Sequence, residues 1–417
     1  MRTGFFHSNL LQIMCFGALI RRLFNPKLCS ARRSHLEANC AAMADLTTKM
    51  INKNNASTAE NTTLEVVAVD PRVWDQTAHQ FDDICQEQMN VFAAERWPQM
   101  NVDCLHFLRD GELVAGCLIM HRAAPLGLGG LAVCKWGPVV LDTTAVDAEA
   151  IHGLAIDALV QKYAIEGRLM LSILPRPRPS EVNFATEQLL ARRFKPGLGL
   201  PFPNRYFVNV HVDDEAMRAS FGQKWRAHLK KSEKNGLEFE HCDVSQMPVF
   251  YDLYRSMTDR KQFPDYSAFD SLHHLMENID DSARPELFLV RHDGEPVAGA
   301  VIFATGDTAV YLYGATNDEA LPLRAGYLMH WEIMRWLARQ DRIKWYDLGG
   351  TDGFLGLHQF KNGMVGKAGI VSEVPRVMNY AHWMLPRLLG ETLFFARDTK
   401  AQVMRWIKSR KTIGPND

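Results

Sequence analysis

A seven-residue block occurs twice in this chain of 417 residues. Asp110-Gly111-Glu112-Leu113-Val114-Ala115-Gly116 and Asp293-Gly294-Glu295-Pro296-Val297-Ala298-Gly299 agree at six of seven positions, 183 residues apart. An Asp-Gly pair between apolar runs is a strong hairpin signal, because both residues tolerate a positive φ. The surroundings repeat as well. Around the first block, Leu105–Arg109, Leu113–Met120 and Ala132–Trp136 read as strands, followed by a helix over Ile151–Tyr163 and a buried strand over Leu169–Leu174. Around the second, the strands are Leu287–Arg291, Val297–Ala304 and Val310–Gly314, with a helix over Gly326–Arg339 and a buried strand over Lys344–Leu348. A helix precedes each copy: one from Pro71, with Trp74, Ala78, Phe81 and Cys85 at helical spacing, and one over Met247–Arg260. This pattern predicts a duplicated α+β unit with mixed sheets flanked by helices. The length exceeds one ordinary core, in keeping with two domains.

The copies predict domains at 63–205 and 206–374, with a helix over Ala216–Asn235 between the flanking strands Asn209–Val212 and Leu237–His241. Residues 1–62 read as a disordered lead-in. Gly4–Ile20 is apolar but interrupted by His7, Ser8, Asn9 and Gln12, too short and polar for a membrane span and lacking a cleavage site. Residues 375–417 read as a basic amphipathic helical segment. There Trp383, Leu385, Leu388, Leu389, Phe394 and Phe395 alternate with Arg387, Arg397, Lys400, Arg405, Lys408, Arg410 and Lys411. Such a segment suits the surface of an anionic membrane, or packs back onto the first domain.

A net charge of −1 excludes a polyelectrolyte binder, so any nucleic-acid contact must be local. The eight cysteines form no CxxC pair, and Cys104 and Cys117 lie in strand-like runs, which predicts buried free thiols, a reducing cytoplasm and no metal site.

The chemistry concentrates in Ile343–Gly366. A short apolar strand runs into Gly349-Gly350, where bare backbone admits a ligand, and Phe360-Lys361 follows eleven residues later. A lysine there would neutralise a phosphate or a developing oxyanion, its ammonium expected near Gly349 and free to reach a ligand. Asp347 ends the strand, either as a general base or as a hydrogen-bonded structural carboxylate. Upstream, Arg226, Lys230 and Lys234 fall at i, i+4 and i+8 with Trp225 and Leu229 turned inward. That stripe suits tRNA or pyrophosphate phosphates, and equally an ordinary solvated face. Substrate-contact candidates are Gly349, Gly350, Phe360, Arg260, Tyr266 and Tyr313.

Five segments in order resemble the FemABX aminoacyltransferases, which are built from two tandem GNAT-like domains. They are Lys135–Val139, Leu171–Pro175, the basic run Arg226–Gly236, Tyr346–Gly350 and Gly356–Lys361. The resemblance covers about Leu64 to Val374. It implies transfer of an amino acid from aminoacyl-tRNA, or another activated acyl donor, to an amine of a cell-envelope precursor (a UDP-sugar peptide or a lipid-linked one), with no cofactor. Lys361 would lie at the acyl-transfer centre, and Arg260 and Tyr266 in the acceptor-binding region. The paired coiled-coil arm of the staphylococcal members has no counterpart. GNAT enzymes that use acyl-CoA cradle its pyrophosphate in a Q/R-x-x-G-x-G/A loop. Here Leu323–Leu328 keeps only Gly326, which disfavours acyl-CoA and leaves an N-acyltransferase with another activated donor, acting on an amino sugar or polysaccharide precursor, as the rival reading.

Overall fold

The computed structural model describes residues 63–124, 127–261, 269, 272–392 and 394. Thr63 onward forms one compact unit holding two mixed sheets.

The first sheet is built from β1 (Glu65–Val69), β2 (Asn101–Arg109), β3 (Glu112–Ala123), β4 (Gly130–Lys135), β5 (Val139–Val140), β6 (Met170–Leu174) and β7 (Lys195–Pro196). The second contains β8 (Asn204–Asn209), β9 (Leu237–Cys242), β10 (Glu286–His292), β11 (Glu295–Phe303), β12 (Thr308–Thr316), β13 (Trp345–Asp347) and β14 (Ile370–Glu373). A final strand, β15 (Met378–Tyr380), returns to the first sheet between β6 and β7. So the stretch from residue 375, read as helical, opens with a strand of the first sheet, and the second sheet begins at Asn204. Asn209–Val212, read as a strand, lies at and beyond the end of β8.

The repeat is visible in the backbone. Asp110 and Gly111 (φ 53° and 84°) turn β2 into β3, and Asp293 and Gly294 (φ 51° and 80°) turn β10 into β11. The first hairpin carries a bulge between Phe107 and Leu108, the second between Val290 and Arg291, the same distance apart in sequence as the turns. Each half has one parallel pair, β4 with β6 and β12 with β13. Parallel neighbours need a long crossover, supplied by the helices Ala148–Leu159 and Ala325–Leu337. The repeat extends to the packing: Gly116 lies under Trp74 and Phe81, and Gly299 under Phe250.

Two helices differ from the sequence reading. The helix from Pro71 ends at Thr77 and tightens into a single turn over Ala78–Gln80, leaving Cys85 off it. The helix expected over Ala216–Asn235 is two, Asp214–Ser220 and Gln223–Ser232, because Phe221 is extended (ψ 151°) and the Gly222 amide donates to the Gly363 carbonyl at 2.8 Å.

One apolar core is common to both halves, holding Trp74, Phe81 and Met120 together with Phe250, Leu289 and Phe303. Separate cores cover the other faces, around Leu105, Ile156 and Leu171 in the first half and Trp225, Trp331 and Tyr346 in the second. Polar clamps join the halves beside the shared core. Arg342 donates to Asp82 at 3.0 Å and to the Gln80 carbonyl at 2.7 Å. Arg176, from the Pro-Arg loop after β6, is buried and donates to the carbonyls of Asp83, Ile84 (3.2 Å) and Thr308 (3.4 Å). Cys85, Cys104, Cys117 and Cys134 are buried free thiols, as expected, and Cys242 is half-buried.

Candidate active site

The site forms where β13 ends. Gly349 has φ 76°, a conformation that favours glycine, and its amide donates to Asp347 Oδ1 at 2.9 Å. The helix Leu355–Val365 then carries Lys361 back over the strand end. Lys361 shares that helix's buried face with Met364 and Val365, so an apolar pattern delivers a cation into the protein. Only 7% of Lys361 is exposed. Its Nζ donates to the carbonyls of Leu348 and Gly350, both at 2.6 Å. A Cβ placed on Gly349 would stand 3.8 Å from that nitrogen, so the ammonium faces bare backbone. The expected proximity to Gly349 is present, but the ammonium is not free: two of its three N–H groups are committed. Burial draws its pKa down to about 8, with the Arg205 charge adding to the effect and Asp347 and Asp352 opposing it.

Asp347 is 1% exposed, and both its oxygens accept from Arg205 Nε, at 2.8 and 2.7 Å. Of the two readings of this residue, the geometry matches the hydrogen-bonded structural carboxylate rather than a free base. Arg205 was not a candidate from sequence. It lies on β8, which pairs with β13 so that Phe207 stands opposite Asp347. Its guanidinium carbon sits 4.6 Å over the Trp136 ring of the first half. An arginine at the boundary between two repeats carries no motif, and only the pairing of β8 beside β13 brings it here.

Phe360 packs against Tyr327 (5.0 Å between ring centres), His330 (5.6 Å) and Trp225 (6.3 Å). It therefore holds the Lys361 helix on the basic helix, where Gly222 and Gly363 touch. His330 is pushed down to about 3, by burial first and then by Lys361, so it stands neutral beside the ammonium. Tyr206 adds a contact unseen in the sequence, its hydroxyl 2.5 Å from His358 Nδ1 on the same helix.

Other candidates lie apart. Tyr313 packs with Tyr254 and Phe269 in the shared core, whereas Phe360 borders the second-half core, so the two are not brought together. Gly350 is at the site through its carbonyl, which accepts from Lys361, but it has no positive φ and a Cβ built on it would meet only the Asn204 carbonyl at an ordinary 3.7 Å, so it lacks the conformational need of Gly349. The Arg260 side chain and Tyr266 lie outside the described residues. Trp225 and Leu229 are buried as expected, while Arg226 and Lys230 are exposed on the outer face of Gln223–Ser232. Arg226 also donates to the Ala219 carbonyl at 2.7 Å. Lys234 is exposed but falls past the helix end, in the turn closing at Gly236 (φ 61°), so the stripe is shorter than its spacing implied.

The loop before Ala325–Leu337 is pinned from the end of Gln223–Ser232 and from the turn after it. Ser232 Oγ donates to the Arg324 carbonyl at 2.8 Å, and Asn235 Nδ2 to the Leu323 carbonyl at 2.9 Å. Arg324 adopts φ 59° to enter the helix, and the space beside Gly326 is open. A surface cavity of about 480 Å³ lies elsewhere, lined by Asp214, Arg218, Glu233, Glu332 and Arg335, whose charges already pair with one another.

A family model described as an acetyltransferase (GNAT) domain matches residues 219–362. A lipid II:glycine glycyltransferase of Staphylococcus haemolyticus (strain JCSC1435) is 26% identical over 118 residues, which is 28% of this chain and 27% of that protein. The match thus spans about a quarter of that relative's length. Among solved structures, FemX superposes with a TM-score of 0.60 at 19% identity, covering 76% of this chain and 97% of FemX. A conserved protein of unknown function from Bacteroides thetaiotaomicron VPI-5482 superposes at 0.51 with 12% identity, covering 76% and 99%. The fold is that of tandem GNAT-like halves.

Proposed function

From a FemABX-like chain of two GNAT-like halves, we propose an acyltransferase that moves an aminoacyl group from an activated donor, aminoacyl-tRNA in the first instance, to an amine of a peptidoglycan or other cell-envelope precursor. The observation that carries this reading is the buried Lys361 ammonium, fixed by two carbonyls at a glycine-bearing strand end with one N–H uncommitted. Attack of an amine on an ester carbonyl develops negative charge on the carbonyl oxygen. A preorganised cation with an available N–H stabilises that charge where water is scarce. Asp347, held by Arg205, orients the Gly349 amide in the same turn. Collapse of the tetrahedral intermediate breaks the ester C–O bond and releases the donor's hydroxyl, which takes up a proton as the amine gives one to the substrate's own groups or to solvent, so no protein base is invoked.

The named glycyltransferase relative supports a cell-envelope acceptor. The exposed Arg226 and Lys230, with Lys234 in the following turn, support phosphate contact with a tRNA donor. Peripheral membrane contact fits the exposed run of Trp383, Met384, Leu385 and Leu388, and would suit a lipid-linked acceptor. No helix among the described residues is long and apolar enough to cross a membrane.

The deciding experiment incubates the protein with charged tRNA or with acyl-CoA, together with UDP-linked and lipid-linked precursors, and identifies products by mass spectrometry. Aminoacylated precursor formed only with charged tRNA is the expected result. Product from acyl-CoA on an amino sugar would replace it with the rival N-acyltransferase reading.

A further inference from the structure

We propose that Arg205 and Trp136 form a carboxylate-binding site beside Lys361, which takes a monoanionic carboxylate of the substrate; the assignment of that group to a substrate rests on the acyl-transfer reading. Arg205 commits only Nε, to the two oxygens of Asp347 at 2.8 and 2.7 Å. Among the described residues its two terminal amino groups have no hydrogen-bond partner, which leaves the end of the guanidinium fork open. That fork matches the two oxygens of a carboxylate. Stacking over Trp136 at 4.6 Å holds the guanidinium in place.

Trp136 itself is unusual in two independent ways. Its Nε1–H is buried with no partner, in a residue only 6% exposed. An unmatched buried donor of this kind is costly and calls for an acceptor. Its backbone also sits at φ 59°, a left-handed conformation rare for a bulky residue and typical of strained functional positions.

Charge points to the same ligand. Among the groups that are buried or nearly so, Arg205 and Lys361 face Asp347 alone, and the further carboxylate that acts on Lys361, Asp352, is exposed to solvent. The neighbouring Arg176 and Arg178 are met by Asp83 and Asp307, and Asp347 faces Arg176 as well as Arg205. A buried excess charge is unfavourable until a counter-charge arrives. A monoanion supplies that counter-charge, and the open, planar fork of Arg205 matches the two oxygens of a carboxylate. The third N–H of Lys361, beside the bare Gly349 backbone, is left for the reacting carbonyl.

The test uses the full chain with its tryptophan indole nitrogens isotopically labelled, the Trp136 resonance being identified by its loss in Trp136→Phe. N-acetylglycine is titrated at constant ionic strength, with N-acetylglycinamide and inorganic phosphate as comparators. The expected result is a saturable shift of the Trp136 indole resonance with N-acetylglycine and none with the amide. Arg205→Lys, which keeps the charge but loses the fork, should weaken binding about tenfold. If that variant does not fold, calorimetry on Trp136→Phe, which keeps the aromatic stack and removes the donor, should show the weakening instead. No saturable shift, equal binding of the amide, tighter binding of phosphate, or unchanged affinity in the folded variant overturns the site. Catalysis without carboxylate binding rejects this site alone, and binding without any acyl transfer rejects the function alone.

Discussion

Lys361 owes its chemical interest to being a cation on the apolar face of a helix. It does not leave the protein because the carbonyls of Leu348 and Gly350 replace its hydration. Donating to a substrate oxyanion requires the protonated form, and burial lowers the pKa to about 8. Turnover is therefore expected to fall as pH rises through about 8, measured as a pH–rate profile with saturating substrates. Lys361→Met preserves length and apolar bulk, so folding should survive while turnover drops about a hundredfold to a thousandfold. Stability carries an independent signature. The folded pKa lies below the ordinary 10.5, so between these values the unfolded chain binds more protons than the folded one. The wild-type protein should then gain stability relative to Lys361→Met as pH rises from about 8 to about 10.5, by roughly 3 kcal/mol in denaturant titrations. A flat difference across that interval would mean the ammonium is not buried in solution.

Helices and hairpins obey the repeat closely enough to test it at matched positions. Gly116 and Gly299 both lie on the second strand of a hairpin, each roofed by aromatic rings from the preceding helical segment. A Cβ at Gly116 would stand 2.6 Å from Trp74, and one at Gly299 would stand 2.9 Å from Phe250. Neither backbone has a positive φ, so the cost of alanine is steric alone. Gly116→Ala and Gly299→Ala should each destabilise by about 1–3 kcal/mol in thermal unfolding. An indifferent response at both would deny the equivalence. The basic stripe belongs to this scale too. Replacing Arg226, Lys230 and Lys234 together by glutamine should weaken tRNA binding and flatten its dependence on salt, read in a filter-binding titration. Undiminished binding with the same salt slope would return them to an ordinary solvated face.

At the scale of the whole molecule, the halves are bound by a shared core and by buried arginines. Arg176→Met leaves the carbonyls of Asp83, Ile84 and Thr308 without their donor and removes a cation facing Asp83. It should lower stability by about 3 kcal/mol in chemical denaturation. Because the arginine bridges the halves, β12, which starts at Thr308, should be destabilised together with the first half; a loss confined to the first half would contradict the clamp. The run after β15 bears on location. Trp383 and Leu388 are 46% and 56% exposed, although the Trp383 indole donates to the Ile165 carbonyl at 3.4 Å. Co-sedimentation with vesicles containing anionic phospholipid should be reduced in Trp383→Ser/Leu388→Ser, and equal binding by both proteins would remove membrane contact from the proposal.

Local chemistry and periodicity determined the duplicated unit without any tertiary information. Asp-Gly turns need positive φ whatever surrounds them, and alternation or helical spacing declares which face is apolar. The sequence also marked Gly349-Gly350 after a strand and placed Lys361 near it, but that the lysine comes back over the strand end on the buried face of the helix Leu355–Val365 was not legible there. Three features were decided by the fold alone. The break at Phe221-Gly222 depends on the Gly363 carbonyl, a partner far along the chain, while the amphipathic period runs on across it. The return of Met378–Tyr380 to the first sheet depends on a free place between β6 and β7 that no segment encodes by itself. Arg205 reaches Asp347 and Trp136 only because β8 pairs beside β13 while the first half supplies the indole. Periodicity reports a residue's neighbours within its own element, and contacts between distant elements are settled by how the sheets assemble.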